Sequence, residues 1–139
     1  MILLSASQRA RIFAIAEQAY PDECCGLLIG RDEADDRILV TRLVESRNIR
    51  AERARDRFEI DPQVRIATER ELRGSAERVV GHYHSHPDHP ARPSATDLEM
   101  VFEPNLIWIV VGVEKGQGLE LNAFRLDESS RQFVSIPCV

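Results

Sequence analysis

The sequence has few of the features that mark secreted, membrane-bound or nucleic-acid-binding proteins. Only three of its 139 residues are cysteine, and two of these, Cys24 and Cys25, are adjacent, which makes a poor disulfide framework. No apolar run is long enough to cross a bilayer, and the segment Met1–Ser5 lacks the basic flank and long apolar stretch of a signal peptide. The net charge is −5, so the chain lacks the excess of basic residues that is typical of nucleic-acid-binding proteins. These absences predict a cytoplasmic protein that binds neither membranes nor nucleic acid.

The length predicts one domain that spans residues 1–139. Hydrophobic periodicity and helix-breaking residues predict the order α-β-β-(β)-α-β-α-β-β-β. This order indicates an α/β domain with a mixed, largely antiparallel sheet flanked by helices. The expected elements are a helix from Ser5 or Ser7 to about Tyr20, strands at Cys25–Gly30, Arg37–Ser46 and Arg57–Ile60, a helix from Asp61 to about Arg73, a strand at Glu77–His84, a short helix at Ser94–Phe102, and strands at Leu106–Val111, Leu119–Leu126 and Gln132–Ile136.

Two histidines at the end of one expected strand are the most informative feature. His84 and His86 are two residues apart, so both side chains project from the same face of a strand. Asp97 follows eleven residues after His86 and offers a harder oxygen ligand. Two imidazoles and one carboxylate, with a fourth position left to water, are typical of a hydrolytic zinc site.

Each of these residues also has an ordinary interpretation. A His-x-His pair at a strand end can simply face solvent. Ser94 and Asp97 have the spacing of a capping box that opens a helix, and Ser94 could cap the helix while its hydroxyl faces a metal. Glu23 follows the C-terminus of the first expected helix, where the helix dipole disfavours a negative charge. This unfavourable position indicates another purpose for Glu23.

Taken together, the residues resemble a known motif. The sequence His84-Ser85-His86-Pro87, followed by Ser94 and Asp97 and preceded by Glu23, resembles the JAMM motif of the catalytic MPN (Mov34/MPN/PAD-1) metallopeptidases. The resemblance implies a curved sheet with cytidine-deaminase-like layering. It extends over nearly the whole chain, because further segments are similar to the small stand-alone bacterial members: Pro21–Gly30, Arg57–Pro62 and Gly81–His84.

The resemblance implies a role for each matched residue. His84, His86 and Asp97 would bind one Zn²⁺ per chain, Glu23 would be the general acid/base, and Ser94 would help to hold the attacking water or the developing oxyanion. The implied reaction is hydrolysis of the amide bond after the C-terminal Gly-Gly of a ubiquitin-like sulfur-carrier protein. The leaving group could be cysteine, a C-terminal extension or a lysine in an isopeptide bond. A cysteine or short-peptide extension is favoured over a lysine isopeptide, since the chain has no obvious large insertion of the kind that recognises a particular isopeptide linkage.

Two other functions are compatible with parts of the pattern. An MPN domain that has lost its ligands would be a non-catalytic scaffold, and the intact motif residues argue against this. The RadC-like DNA-repair-associated proteins have a similar motif, but with Asn at the position of Ser85. The sequence contains no His-Glu-x-x-His, which argues against the common helical metalloproteases.

Several residues near the motif have open roles. His82 shares the face of His84 and could support a ligand or simply pack in the strand. His89 is expected to face solvent or substrate, and Cys24 and Cys25 are expected in the core. The loop 48–57 could be solvated, or could dock an acidic partner or a substrate carboxylate through its arginines, namely Arg47, Arg50, Arg53, Arg55 and Arg57.

Overall fold

The computed structural model describes residues 1–50 and 58–139. Within these ranges a single mixed sheet is accompanied by three helices. No helix among the described residues is both long and apolar enough to cross a membrane. In chain order the elements are β1 (Ile2–Leu3), α1 (Ala6–Ala19), β2 (Cys25–Glu33), β3 (Arg37–Ser46), α2 (Pro62–Leu72), β4 (Arg78–Pro87), α3 (Ala95–Glu99), β5 (Ile107–Glu114), β6 (Gln117–Asp127) and β7 (Gln132–Ile136).

Both longer helices begin where their capping residues predict. Ser5 caps α1, its hydroxyl accepts from the Gln8 N–H, and the Gln8 side chain accepts from the Ser5 N–H in return. Asp61 caps α2 by accepting from the Gln63 N–H, with Pro62 in the first helical position. Capping of this kind satisfies backbone donors that have no partner inside the helix.

The sheet has seven strands in the order β1-β3-β2-β4-β5-β6-β7. β1 pairs with β3 and β4 pairs with β5 in parallel, whereas the other neighbours are antiparallel. Register shifts interrupt three of the pairings, β2 with β3, β2 with β4 and β5 with β6, and such bulges increase local twist and bend a sheet. The predicted mixed, largely antiparallel sheet is confirmed.

Helices cover both faces of the sheet. Leu28 points to the face where α1 packs through Ile12, Ile15 and Ala16. Its neighbours Leu27 and Ile29 point to the other face, where they pack with Leu72 of α2. This alternation is the period-two pattern of a strand buried on both sides. Each such side chain, once fully buried, contributes roughly 1.5–3 kcal/mol, so the central strands form a rigid platform.

The sequence-based expectations were wrong in several details. The short strand expected at Arg57–Ile60 is reduced to one bridge between Asn48 and Ile60; Arg57 itself lies outside the described residues. The strand cannot lengthen toward α2, because Asp61 already caps that helix. β1 was not expected, and β4 continues past His84 to Pro87.

The helix expected at Ser94–Phe102 is also shorter than predicted, since α3 ends at Glu99 rather than at Phe102. Phe102 is 80% exposed. The Phe102 side chain therefore adds no burial that would extend the helix to this residue, and packing is what stabilises a short helix.

Candidate metal and hydrolytic site

β4 places two imidazoles side by side in the middle of the sheet. It lies between β2 and β5, and His84 is opposite Cys25 on one neighbour and Val110 on the other. His84 is 0% and His86 7% exposed. The Nε2 atoms of the two rings are 3.1 Å apart, as the spacing of the two residues on one strand face predicts.

Asp97 reaches the same point from the first turn of α3. Its Oδ2 is 3.2 Å from the Nε2 of His84 and 3.0 Å from the Nε2 of His86. Both hydrogen bonds of the predicted capping box are present: Ser94 N–H donates to Asp97 Oδ2 at 2.9 Å, and Asp97 N–H donates to Ser94 Oγ at 3.1 Å. The capping bonds therefore hold the oxygen that faces the two imidazoles.

The three side chains have the donor atoms and the spacing that a small tetrahedral ion needs. Their facing atoms lie 3.0–3.2 Å from one another. Around zinc, with bonds of about 2.0–2.1 Å, neighbouring tetrahedral ligands are roughly 3.3 Å apart. Glu23 also contributes an oxygen to this region, because Glu23, His84 and His86 each have a potential ligand atom within 4.8 Å of the others. The cluster can hold a metal ion.

The directions of the pKa shifts of His84 and Asp97 suit metal binding, whereas that of His86 does not. Burial lowers the pKa of His84, and this outweighs the neighbouring carboxylate. Burial raises the pKa of Asp97, but hydrogen bonds with His84 and His86 outweigh burial and hold the pKa well below its usual range. Burial lowers the pKa of His86, whereas the contacts with Asp97 and with the Pro90 carbonyl raise it, and the net direction is upward. An ionised Asp97 beside a neutral His84 matches the forms that bind metals.

The outer ring nitrogens of the two histidines have different surroundings. His86 Nδ1 lies 3.1 Å from the Pro90 carbonyl oxygen, so donating this hydrogen bond leaves the Nε2 lone pair facing the cluster. His84 Nδ1 is buried and has no hydrogen-bond partner among residues 1–50 and 58–139. The ring of His84 is instead stacked on Phe58, with centroids 4.2 Å apart and planes at 15°.

Glu23 lies just before β2 and is 3% exposed. Asn48 Nδ2 donates to the Glu23 carbonyl at 3.1 Å. The next residue, Cys24, is bonded twice to Ser85: its N–H donates to Ser85 Oγ at 2.8 Å, and its carbonyl accepts from the Ser85 N–H at 3.2 Å. Asn48 and Ser85 thus fix the main chain that follows directly after the Glu23 side chain, from the Glu23 carbonyl to the Cys24 carbonyl.

An open cleft of about 690 Å³ lies beside the cluster. Three of the sequence-predicted site residues line it, namely Glu23, His86 and Ser94. The other two, His84 and Asp97, lie beneath and are 0% and 2% exposed. The remaining walls come mainly from the loop that follows β4, with Pro21, Pro87, Asp88, His89, Pro90, Arg92, Pro93 and Thr96. The structure therefore brings all five predicted residues to one place.

The neighbouring residues with open roles are mostly structural. His82 packs edge-on against Trp108 at 4.3 Å, and burial lowers its pKa to about 3. Burial raises the pKa of Cys24 to about 11 and that of Cys25 to about 12, so both thiols stay protonated and unreactive near neutral pH. The expected core positions of both cysteines are confirmed, and His89 is exposed as expected.

The arginine-rich loop is described only in part. Arg47 forms an ion pair with Asp61 at 3.1 Å, and Arg50 with Glu59 at 3.5 Å. The expected contribution of Arg53, Arg55 and Arg57 lies outside the described residues.

Sequence reasoning assigned no role to three residues that hold the site together. Asn48, Phe58 and Ser85 contact Glu23, His84 and Cys24 respectively. The role of Ser85 could have been suspected from the sequence, since the residue lies between the two histidines and its side chain points to the opposite face of β4. The sequence does not indicate the roles of Asn48 and Phe58, because neither residue is near its contact partner along the chain.

Residues 5–127 match the family model described as prokaryotic homologs of the JAB domain. This chain belongs to that family. A desampylase from Haloferax volcanii is 32% identical over 111 residues, which cover 77% of each chain. A CysO-cysteine peptidase from Mycobacterium bovis is 29% identical over 126 residues, covering 91% of this chain and 83% of that one.

The fold of this JAB-family chain is also found in a solved structure. A JAB1/MPN domain protein from Archaeoglobus fulgidus superimposes with a TM-score of 0.55 at 20% identity, covering 99% of this chain and 94% of that one. The likeness at this identity concerns the fold. The family model and the desampylase relative confirm the family resemblance inferred from the His84–Asp97 motif.

Proposed function

We propose that this JAB-family protein is a metal-dependent hydrolase that cleaves the amide bond after the C-terminal Gly-Gly of a ubiquitin-like sulfur-carrier protein. The observation that carries the proposal is the convergence of Asp97 Oδ2 and two imidazole Nε2 atoms at 3.0–3.2 Å, beside a cleft lined by Glu23 and Ser94. Two relatives, a desampylase and a CysO-cysteine peptidase, support the substrate class.

In this proposal His84, His86 and Asp97 hold one zinc ion. Three protein ligands leave a fourth position open, which is the arrangement of catalytic rather than structural zinc. When bound, zinc supplies Lewis acidity and lowers the pKa of a coordinated water toward 7. His86 is fixed for this role by the Pro90 carbonyl and Asp97 by the Ser94 N–H, so neither ligand has to reorganise on binding.

Glu23 is the proton carrier. Its carboxylate takes a proton from the attacking water as the new C–O bond forms, and then passes that proton to the nitrogen of the leaving amine as the C–N bond breaks. The position suits both transfers, because Glu23 lines the cleft and has an oxygen within 4.8 Å of a ring nitrogen of each histidine.

Ser94 stabilises the charge that develops on the carbonyl oxygen. Its Oγ accepts from the Asp97 N–H, which leaves the hydroxyl proton free to be donated to substrate. A hydroxyl held in place by a helix cap is a preorganised donor, and preorganised donors are the most effective stabilisers of an oxyanion.

The cleft also suits an extended tail. Four prolines line it, from Pro21 and from the loop after β4, and proline restricts the backbone and so keeps the walls in place. A Gly-Gly segment has no side chains and can approach the buried ligands closely.

The proposal is tested by mass spectrometry of zinc-loaded protein incubated with ubiquitin-like carriers that extend beyond Gly-Gly. Cleavage directly after the second glycine is expected, with loss of cleavage when Gly-Gly is replaced by Ala-Ala. Glu23→Gln should retain zinc by elemental analysis yet lower kcat by about 10²–10⁴, whereas the exposed carboxylate variant Glu99→Gln should behave as the unmodified protein. Equal cleavage of Gly-Gly and Ala-Ala carriers, or normal turnover by Glu23→Gln, would refute the assignment. Zinc-free protein that only binds the carrier would indicate a scaffold.

A further inference from the structure

Arg92 is a cation in the wall of the cleft, and no acidic residue in the described part of the chain forms an ion pair with it. The residue is exposed and lines the same cleft as Glu23, His86 and Ser94. Among the described residues its guanidinium forms no hydrogen bond or ion pair, in contrast to Arg47 and Arg65. The planar guanidinium of Arg92, with its N–H donors, therefore faces the space that the substrate must enter.

The segment that carries Arg92 is held in place. The Arg92 N–H donates to the Pro90 carbonyl at 2.9 Å, and that carbonyl also faces His86 Nδ1. Ala91 is 2% exposed, and its carbonyl accepts from Asn122 Nδ2 at 3.0 Å. The main chain at Arg92 is thus coupled to a ligand histidine and to β6, while its side chain stays available.

The acidic residues that line the cleft do not pair with Arg92 among the described residues, so its guanidinium can bind a ligand. The Asp88 carboxylate is already used, since Oδ2 accepts from the Tyr20 hydroxyl at 2.7 Å and Oδ1 from the Lys115 N–H at 2.9 Å. Glu23 is 3% exposed and faces the histidines. His89, which also lines the cleft and is exposed, adds a further donor on the same loop.

We propose that Arg92 binds the free α-carboxylate of a leaving group that is a single amino acid. The inference rests on the proposed function. In an amino acid attached through its amine, the carboxylate carbon is two bonds from the scissile nitrogen, about 2.5 Å away. The carboxylate must therefore enter the cleft near the Glu23 carboxylate, where a cation on the cleft wall lowers the repulsion between the two anions. A guanidinium binds a carboxylate through two parallel hydrogen bonds.

This subsite would distinguish among the three leaving groups with which the sequence is compatible. A lysine isopeptide releases an ε-amine on a long aliphatic stem and presents no carboxylate near the scissile bond. A longer C-terminal extension has a neutral peptide group at that place. Only a carrier extended by one amino acid, such as cysteine, presents a carboxylate there. Arg92 thereby selects an amino-acid adduct of the carrier.

The test uses one ubiquitin-like carrier ending in Gly-Gly-Ala, prepared as the free acid and as the carboxamide. The zinc-loaded protein should cleave the acid with a kcat/KM about tenfold or more above that of the amide, mostly through KM. Arg92→Ala should bring the acid-to-amide ratio close to one, and Arg92→Lys should keep part of the preference. The matched control is Arg73→Ala, an exposed arginine at the end of α2 that does not line the cleft.

Binding provides a second readout that does not depend on turnover. With Glu23→Gln as background, fluorescence anisotropy should show tighter binding of the acid than of the amide, and Arg92→Ala should remove the difference. An acid preference that survives Arg92→Ala, or equal binding of acid and amide before that change, overturns the subsite. Failure to cleave either carrier refutes the proposed function instead, and the binding comparison still decides the role of Arg92.

Discussion

Asn48 allows the position of Glu23 to be perturbed separately from the stability of the fold. Asn48 Oδ1 accepts from the Arg50 and Glu59 N–H groups, each at 3.0 Å. Its Nδ2 donates to the Glu23 carbonyl at 3.1 Å. Asn48→Asp keeps the accepting oxygen and removes the donor to Glu23, whereas Asn48→Ala removes each of these three bonds to described residues.

The two variants should differ in stability, although both lose the hydrogen bond to the Glu23 carbonyl. A protein hydrogen bond contributes about 1 kcal/mol net, so Asn48→Ala should lower the free energy of unfolding by about 3 kcal/mol. Asn48→Asp keeps two bonds, which its charge strengthens, and should stay within about 1 kcal/mol of the unmodified protein. Its carboxylate now repels the Glu23 carbonyl, and a displacement of about 1 Å at a catalytic group can lower kcat about 10²-fold.

Urea denaturation measures the first quantity, and initial rates of carrier cleavage at saturating substrate measure the second. Zinc content by elemental analysis should stay unchanged in both variants, because Asn48 contacts no proposed ligand. Asn105→Asp, an exposed change outside the cleft, controls for the added charge. A normal kcat in Asn48→Asp would show that this contact does not position Glu23, and equal destabilisation by the two variants would show that the Oδ1 bonds do not stabilise the fold.

Three further predictions concern the metal, the sheet and pH. His84→Ala and Asp97→Ala should each lose zinc, measured by elemental analysis, because two remaining ligands bind it weakly; full zinc in either would refute the ligand set. Gly26→Ala should lower the free energy of unfolding by about 1–3 kcal/mol, because the added methyl group would meet the buried Tyr83 ring. Burial lowers the pKa of His82 to about 3, so the fold favours the neutral ring. Metal-free protein should therefore lose stability as pH falls below about 6.5, and His82→Phe should reduce that loss in urea titrations at pH 7 and 5.

The parts of the site that sequence reasoning predicted are those set by local geometry. The spacing of His84 and His86 fixes their shared face once the segment is a strand. The spacing of Ser94 and Asp97 fixes a capping box once a helix starts there. Both relations hold within a few residues, so they can be recognised without knowing how distant segments pack.

The parts that could not be predicted depend on packing between distant segments. Phe58 stacks on His84 and Asn48 reaches Glu23, and each pair is separated by more than twenty residues along the chain. No periodic pattern relates such residues. The same limit explains why the strand expected at Arg57–Ile60 was wrong. Phe58 stacks on the His84 ring, a contact that the local sequence does not indicate, and Asp61 caps α2.

The Asp97 oxygen links the stability of α3 to the chemistry proposed for the site. A helix of five residues, Ala95–Glu99, is too short to be stable by its own hydrogen bonds, so its capping box is a large part of what holds it. The bond that closes this box, from the Ser94 N–H to Asp97 Oδ2 at 2.9 Å, uses the oxygen that faces both imidazoles. Because the donor is a backbone group, Ser94→Ala removes a hydroxyl from the cleft but leaves this bond intact. The variant does lose the cap from the Asp97 N–H to Ser94 Oγ, so retained zinc is the measurement that shows Asp97 to be still in place, and loss of turnover with zinc retained would then be assigned to the hydroxyl.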